Sequence, residues 1–139
     1  MKTYETQIDI SAPPDVVWHI LTKELPRAPE TFGLLNFEGN MAPGAKINIR
    51  SEVSPERTFA LRVQTFEPPD RMVWTGGMPL GLFTGTRTFT VTLATTGSTF
   101  SMTEIFTGPM SGMITKSMPD LTPSFIKFAE ALKTRAEAQ

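Results

Sequence analysis

The sequence predicts an α+β domain in which one antiparallel sheet is covered on one face by a single long C-terminal helix. Three observations carry this. The first residues alternate apolar and polar, segments rich in β-branched and aromatic residues then follow one another with only turn signals between them, and the chain closes on an apolar stripe at helical spacing. An antiparallel sheet with one oily face has to be covered, and only the last helix is long enough to do it.

The elements follow in order. In "TYETQIDI", Tyr4, Thr6, Ile8 and Ile10 alternate with Glu5, Gln7 and Asp9, the period of two of a strand with one buried face. "SAPPDVVWHILTKEL" changes period. Val17, Leu21 and Leu25 recur every four residues, Pro14 suits a first helical position and Asp15 the positive end of the helix dipole, so a short helix is expected over 14–25. The prolines of "PRAPE" end it. Six strands are expected near 33–40, 45–53, 57–67, 71–76, 83–95 and 98–108, separated by "APG", "SPE", "EPPD", a glycine-rich stretch and "TTGS". With the first strand they make seven.

The last two strands admit a register. With Thr96 and Gly97 as a two-residue hairpin loop, Phe89 faces Glu104, Val91 faces Met102 and Leu93 faces Phe100, all on one face. Beyond them Ile114, Met118, Leu121, Phe125, Phe128, Leu132 and Ala136 step by three or four. Pro119 and Pro123 interrupt this stripe, and "LTPS" reads as a fresh helix start with Thr122 capping. A main helix over 123–137 and a shorter piece over 110–118 are expected.

Composition excludes several functions. At 139 residues the chain is read as a single domain, 1–139, able to bury roughly two-thirds of its unfolded surface. Zero cysteines rule out disulfides, thiol catalysis and sulfur-ligated zinc, and fit a reducing, cytoplasmic setting. Thirteen basic and fourteen acidic residues, with no basic run, argue against nucleic acid as a partner. There is no apolar leader and no long apolar run, so neither a signal peptide nor insertion into a membrane is expected. His19 is the only histidine, and its place on the helix relative to Val17 and Leu21 turns it to solvent. One histidine, no cysteine and no clustered carboxylates leave no metal site, and no cofactor is expected.

The order of "APPDVVWHILT", "WTGGMPLGLFTGTRTFTV", "TEIFTGPMSGMI" and "PDLTPSFIKFAEALKTRAE" resembles the START-like, polyketide cyclase/dehydrase-type superfamily known as SRPBCC, over essentially the whole chain. The resemblance implies a helix-grip fold, a strongly curved seven-stranded sheet wrapped around the C-terminal helix with a deep cavity between them. Its members include lipid carriers, aromatic polyketide cyclases, coenzyme Q-binding proteins and heat-shock co-chaperones, so the fold does not choose the function. Related sequences carry a "WNP"-like patch after the first helix where this chain has "APETFG".

The stretch 74–89, "WTGGMPLGLFTGTRTF", is not a phosphate cradle, because it joins two strands, lacks lysine and is filled with apolar residues. It is a hairpin connection shaped by glycines. Met78, Leu80, Leu82 and Phe83 need cover, which makes it a lip or lid of the cavity or a surface for a second subunit of a homodimer. Strand alternation places Phe89, Val91, Met102 and Phe106 inward and turns Arg87 and Glu104 inward with them, diagonally opposed, where each charge needs the other. The pair is either a structural salt bridge or an anchor, with Arg87 orienting a ligand oxygen and Glu104 holding the guanidinium. Either residue is also the candidate for catalysis. The expected ligand-binding wall adds Met72, Trp74 and Phe83 from the sheet and Met113, Leu121, Phe125 and Phe128 from the C-terminal helices. The methionines suit an adaptable apolar pocket as well as they suit a packed core.

Three functions follow. The first is binding of a small hydrophobic molecule, lipid-like or aromatic, in the internal cavity. The second is a cyclase or dehydratase in which Arg87 or Glu104 assists enolisation or loss of water. The third is an interaction module like the co-chaperone relatives. Binding leads, because a carboxylate already committed to a guanidinium is a poor general base.

Overall fold

A computed structural model describes residues 2–139. Strand β1 (Lys2–Ile10) leads into helix α1 (Pro14–His19), which continues as a wider π-helical turn over Ile20–Glu24. A 3-10 turn at Pro29–Phe32 precedes the meander β2 (Leu34–Glu38), β3 (Lys46–Ser51), β4 (Phe59–Glu67), β5 (Arg71–Met78), β6 (Phe83–Ala94) and β7 (Gly97–Thr107). Helices α2 (Ser111–Lys116) and α3 (Thr122–Glu137) close the chain. All seven strands form one antiparallel sheet in the order β1-β7-β6-β5-β4-β3-β2, so β1 and β2 are its edges. The sheet curls around α3: the helix-grip arrangement holds.

The buried face of α3 is written in its spacing. Phe125, Phe128, Ala129, Leu132 and Ala136 recur at three and four residues and are all buried against the sheet. Burial of side chains of this size stabilises by about 1.5–3 kcal/mol each for the large ones. Pro123 occupies the first turn, where its missing N–H costs nothing. Thr122 does not cap the helix as expected. It is the first helical residue, and Asp120 Oδ1 accepts its backbone N–H at 3.0 Å. At the other end of the chain, Thr22 donates its hydroxyl to the carbonyl of Trp18 at 2.8 Å, and the turn that follows is wide, with Leu25 N–H bonded to Ile20 O. The widened turn keeps Val17, Trp18, Ile20, Leu21 and Leu25 all buried and leaves His19 exposed, as its position predicts.

The β6–β7 register differs from the expected one by two residues. Ala94 pairs with Gly97, so Thr95 and Thr96 form the loop; Phe89 faces Met102, Val91 faces Phe100, and Arg87 faces Glu104 directly rather than diagonally. A slip of two preserves which face each side chain occupies, so Phe89, Val91, Phe100, Met102 and Phe106 stay inward. Gly97 is a glycine for a different reason. Its φ is +141°, and a Cβ there would lie 2.5 Å from the carbonyl oxygen of Ile10. Leu93, expected inward, is 81% exposed. It faces Ser98 beside the hairpin tip and borders Ser11, Ala12 and Pro13 at a shallow surface depression instead of reaching the core.

The glycine-rich stretch is mostly strand. Residues 76–78 pair with 83–85, with Gly76 opposite Gly85, and only Pro79–Gly81 and Leu82 make the turn. Leu80 at its tip has φ +62° and is 95% exposed, while Phe83 stacks on Phe106 with ring planes 8° apart. Among the described residues, no helix is long and apolar enough to cross a membrane.

Candidate functional site

Strand pairing arranges the concave face into transverse rows. One row runs Tyr4 on β1, Glu104 on β7, Arg87 on β6, Trp74 on β5 and Val63 on β4, each directly opposite the next. On one side of it lies an apolar row of Met102, Phe89, Met72 and Phe66. On the other side Phe106 is followed by two glycines, Gly85 and Gly76. The charged groups of the concave face therefore share one row, between a packed wall and a row in which Gly85 and Gly76 bring no side chain of their own.

The ion pair is tight and one-sided. Arg87 donates from Nε to Glu104 Oε1 at 2.8 Å, and Nη2 approaches the same oxygen at 2.7 Å. Among the described residues, no donor reaches Oε2 and no acceptor reaches Nη1. The guanidinium carbon lies 4.9 Å from the centre of the Phe125 ring, so α3 supplies a π-face as well as cover. Tyr4 packs on both Phe106 and Phe125 and walls the carboxylate side. A Cβ on Gly85 would sit 3.0 Å from Glu104 Oε2 and 3.1 Å from the Phe106 ring, so that glycine is what lets the carboxylate lie flat along the sheet.

The expected site residues separate into two groups. Met72, Trp74, Phe89, Val91 and Met102 on the sheet, with Phe125 and Phe128 on α3, are essentially inaccessible. A void the size of a water beside Met72, Phe89 or Met102 would leave some surface reachable, and each has 0%. The deep cavity is thus closed along this half, because Trp74, Phe89, Phe100 and Phe128 fill it ring against ring. Arg87, Glu104, Phe106, Phe83 and Leu121 form the second group, at the end where accessibility returns. Met113 belongs to neither. It is 63% exposed on the short helix α2.

Tyr4, Gly76 and Gly85 complete the site and were not among the expected residues. Alternation places Tyr4 inward, but its adjacency to Glu104 depends on β1 pairing with the last strand, which no local pattern shows. Tyr4 also borders a cleft of about 710 Å³ outside the sheet edge, lined by Lys2, Glu5, Thr115, Lys116 and Asp120 among others. In that cleft the Asp120 carboxyl is held below its ordinary range, chiefly by the backbone N–H of Thr122 and then by its hydroxyl.

Residues 1–137 match the family described as "Polyketide cyclase / dehydrase and lipid transport". The chain belongs to that family. No curated protein matches this family member in sequence. Among solved structures, protein MLL2253 from Mesorhizobium loti superposes with a TM-score of 0.76 at 21% identity, covering 99% of this chain and 98% of that one. The di-domain ARO/CYC StfQ of the steffimycin biosynthetic pathway gives 0.74 at 14% identity, covering 98% of this chain and 51% of StfQ. Ara h 8.0201 gives 0.64 at 15% identity, with 99% of each chain covered. At these identities the likeness extends the helix-grip fold to this polyketide cyclase/dehydrase-family chain and leaves its chemistry to its own residues.

Proposed function

We propose that the protein binds a small hydrophobic molecule, lipid-like or aromatic and polyketide-like, under α3 at the Arg87–Glu104 end of the concave face. The observation that carries this is the ion pair itself. It is framed by Tyr4, Phe106 and Phe125, sits beside Gly85 and Gly76, and leaves Arg87 Nη1 and Glu104 Oε2 without a partner among the described residues. A mostly apolar ligand slides into the space held by the Phe83–Phe106 stack and the Leu61 side chain, and Arg87 takes its oxygen. The family's description, which includes lipid transport, and the ARO/CYC name of StfQ support a ligand of this class.

Titration with the neutral fluorescent probe N-phenyl-1-naphthylamine tests it. One site per chain is expected, and Gly85→Ala, which places a methyl group against Glu104 and Phe106, is expected to weaken the probe roughly tenfold. No binding, or binding indifferent to Gly85→Ala, overturns the reading.

One observation favours a cyclase or dehydratase as the second reading. Glu104 Oε2 accepts nothing from the described residues, and a carboxylate oxygen free of partners can take a proton from a ligand carbon or hydroxyl while Arg87 steadies the enolate oxygen. Turnover of a linear poly-β-ketone analogue that is lost in Glu104→Gln, with binding retained, distinguishes it from simple carriage.

A further inference from the structure

The two edges of the sheet are finished differently. Edge strand β2 spans five residues and is bulged between Leu34 and Asn36, and shortness and bulging both blunt an edge against further pairing. Edge strand β1 spans nine residues and pairs with β7 without a register shift from Lys2 to Ile10. Among the described residues, side chains meet its outer edge only at the end away from Lys2. There Lys133 Nζ donates to the carbonyl of Asp9 at 2.9 Å, and just beyond the strand Glu137 Oε2 accepts the backbone N–H of Ser11 at 2.8 Å. In an antiparallel strand the N–H and C=O of one residue point to one side and those of the next residue to the other. Since the Asp9 carbonyl points outward, so do both groups of Thr3, Glu5 and Gln7. No hydrogen bond from the described residues reaches them.

These groups open onto the cleft of about 710 Å³ outside the sheet edge. Four consecutive residues, Lys2 to Glu5, line it, which is how the edge of a strand meets a cavity; a strand face would contribute alternate residues. The opposite wall is Thr115 and Lys116 of α2, with Asp120 beyond them. That wall leaves room for one more strand, which needs about 4.8 Å, and shuts out the whole domain that edge-to-edge pairing with a second copy would bring. Charge narrows the occupant. Lys2 and Lys116 both border the cleft, Lys2 and Glu5 project to opposite sides of β1, and Asp120 is engaged by the Thr122 N–H at 3.0 Å. We propose that β1 receives an extended peptide segment of a partner protein, which adds a strand to the sheet through the N–H and C=O groups of Thr3 and Glu5 and turns an acidic side chain toward Lys2 and Lys116.

The probe is an end-blocked heptapeptide of alternating threonine and valine with glutamate at its centre, and the readout is amide hydrogen exchange followed in ¹⁵N–¹H spectra. At saturating peptide the Thr3 and Glu5 amides are expected to exchange roughly tenfold more slowly, while those of Tyr4 and Thr6, which already face β7, stay as they were. Glu5→Pro removes one outward N–H and spares the pairing with β7, because an edge strand tolerates proline where its N–H faces away from the sheet. The variant is therefore expected to fold and to bind the peptide roughly tenfold more weakly. A lysine in place of the peptide's glutamate is expected to weaken binding roughly threefold. If Glu5→Pro does not fold, the alternation of slowed amides in the parent decides. No slowing at millimolar peptide, equal slowing at Tyr4 and Thr6, or a folded Glu5→Pro protein that binds as the parent does overturns the proposal. Slowing of Thr3 and Glu5 that follows protein concentration without peptide overturns it in favour of a second copy on the edge, and equal affinity for the glutamate and lysine peptides overturns the acidic preference.

Discussion

Along β6 and β7 a single step changes the character of the concave face. Phe89 and Met102 face each other with no accessible surface, whereas Arg87 and Glu104, one row on, keep 18% and 12% of their side chains reachable. The first region is a core whose residues are explained by packing alone. The second is framed by aromatic rings but floored by glycine, and it holds groups whose hydrogen-bonding capacity the described residues leave unused. A uniformly packed domain has no use for that difference, and a binding domain does: one half of the face supplies stability, which leaves the other half free to be incompletely filled.

The largest expected effect breaks the closed half. Phe89→Ala is expected to cost about 3–5 kcal/mol of unfolding free energy, since both ring and neighbours are fully enclosed. Phe83→Ala, whose ring is only half-buried on Phe106, is expected to cost about 1–2 kcal/mol in the same urea titration. Equal losses at the two positions would abolish the distinction between the halves.

The ion pair comes next. Glu104→Gln strands the guanidinium against Phe125 and is expected to cost about 2 kcal/mol, below the figure for a fully enclosed pair because both side chains keep contact with water. The double change Arg87→Leu with Glu104→Leu should recover most of that loss while weakening oxygenated ligands selectively. A Glu104→Gln protein as stable as the parent would show the pair to be solvated and the row to be ordinary surface.

The two facing glycines sharpen the comparison further. A Cβ on Gly76 would stand 2.9 Å from the backbone oxygen of Ala60, which cannot retreat, so Gly76→Ala should lose on the order of 1–2 kcal/mol. At Gly85 the nearest atoms are the ends of side chains, so Gly85→Ala should fold nearly as well as the parent and reveal itself in ligand affinity instead. The smallest effect lies outside the face. The Thr122 backbone N–H holds the folded Asp120 carboxyl below its ordinary value of 3.8, so its contribution to stability is complete above that value and is lost as pH falls through the lower folded one. Asp120→Asn should flatten this slight acid limb of the stability curve and leave the neutral region unchanged.

Much of the fold was legible in the sequence, because alternation and the stripe of α3 are local signals that tertiary context had no reason to override. The hairpin register was not. Gly97 attracts the turn to itself, yet its conformation is demanded by Ile10 and Ala12, which approach it from the far end of the chain. Parity survived the slip, so Arg87 and Glu104 could be found by counting alternate residues. Tyr4 and the pairing of Gly76 with Gly85 required the strand order, which the sequence does not state locally. Met113 lies on the expected short helix but is 63% exposed, because residue type alone does not say which side of so short a helix meets the sheet.

The central claim is one of place: an apolar ligand sits at the Arg87–Glu104 end of the concave face beneath α3. Intermolecular nuclear Overhauser contacts between fluorene and the isotope-labelled protein test it directly. The account predicts contacts to the rings of Phe83, Phe106, Tyr4 and Phe125. Contacts confined to exposed side chains such as Leu80 and Met113, with those four rings silent, would contradict it.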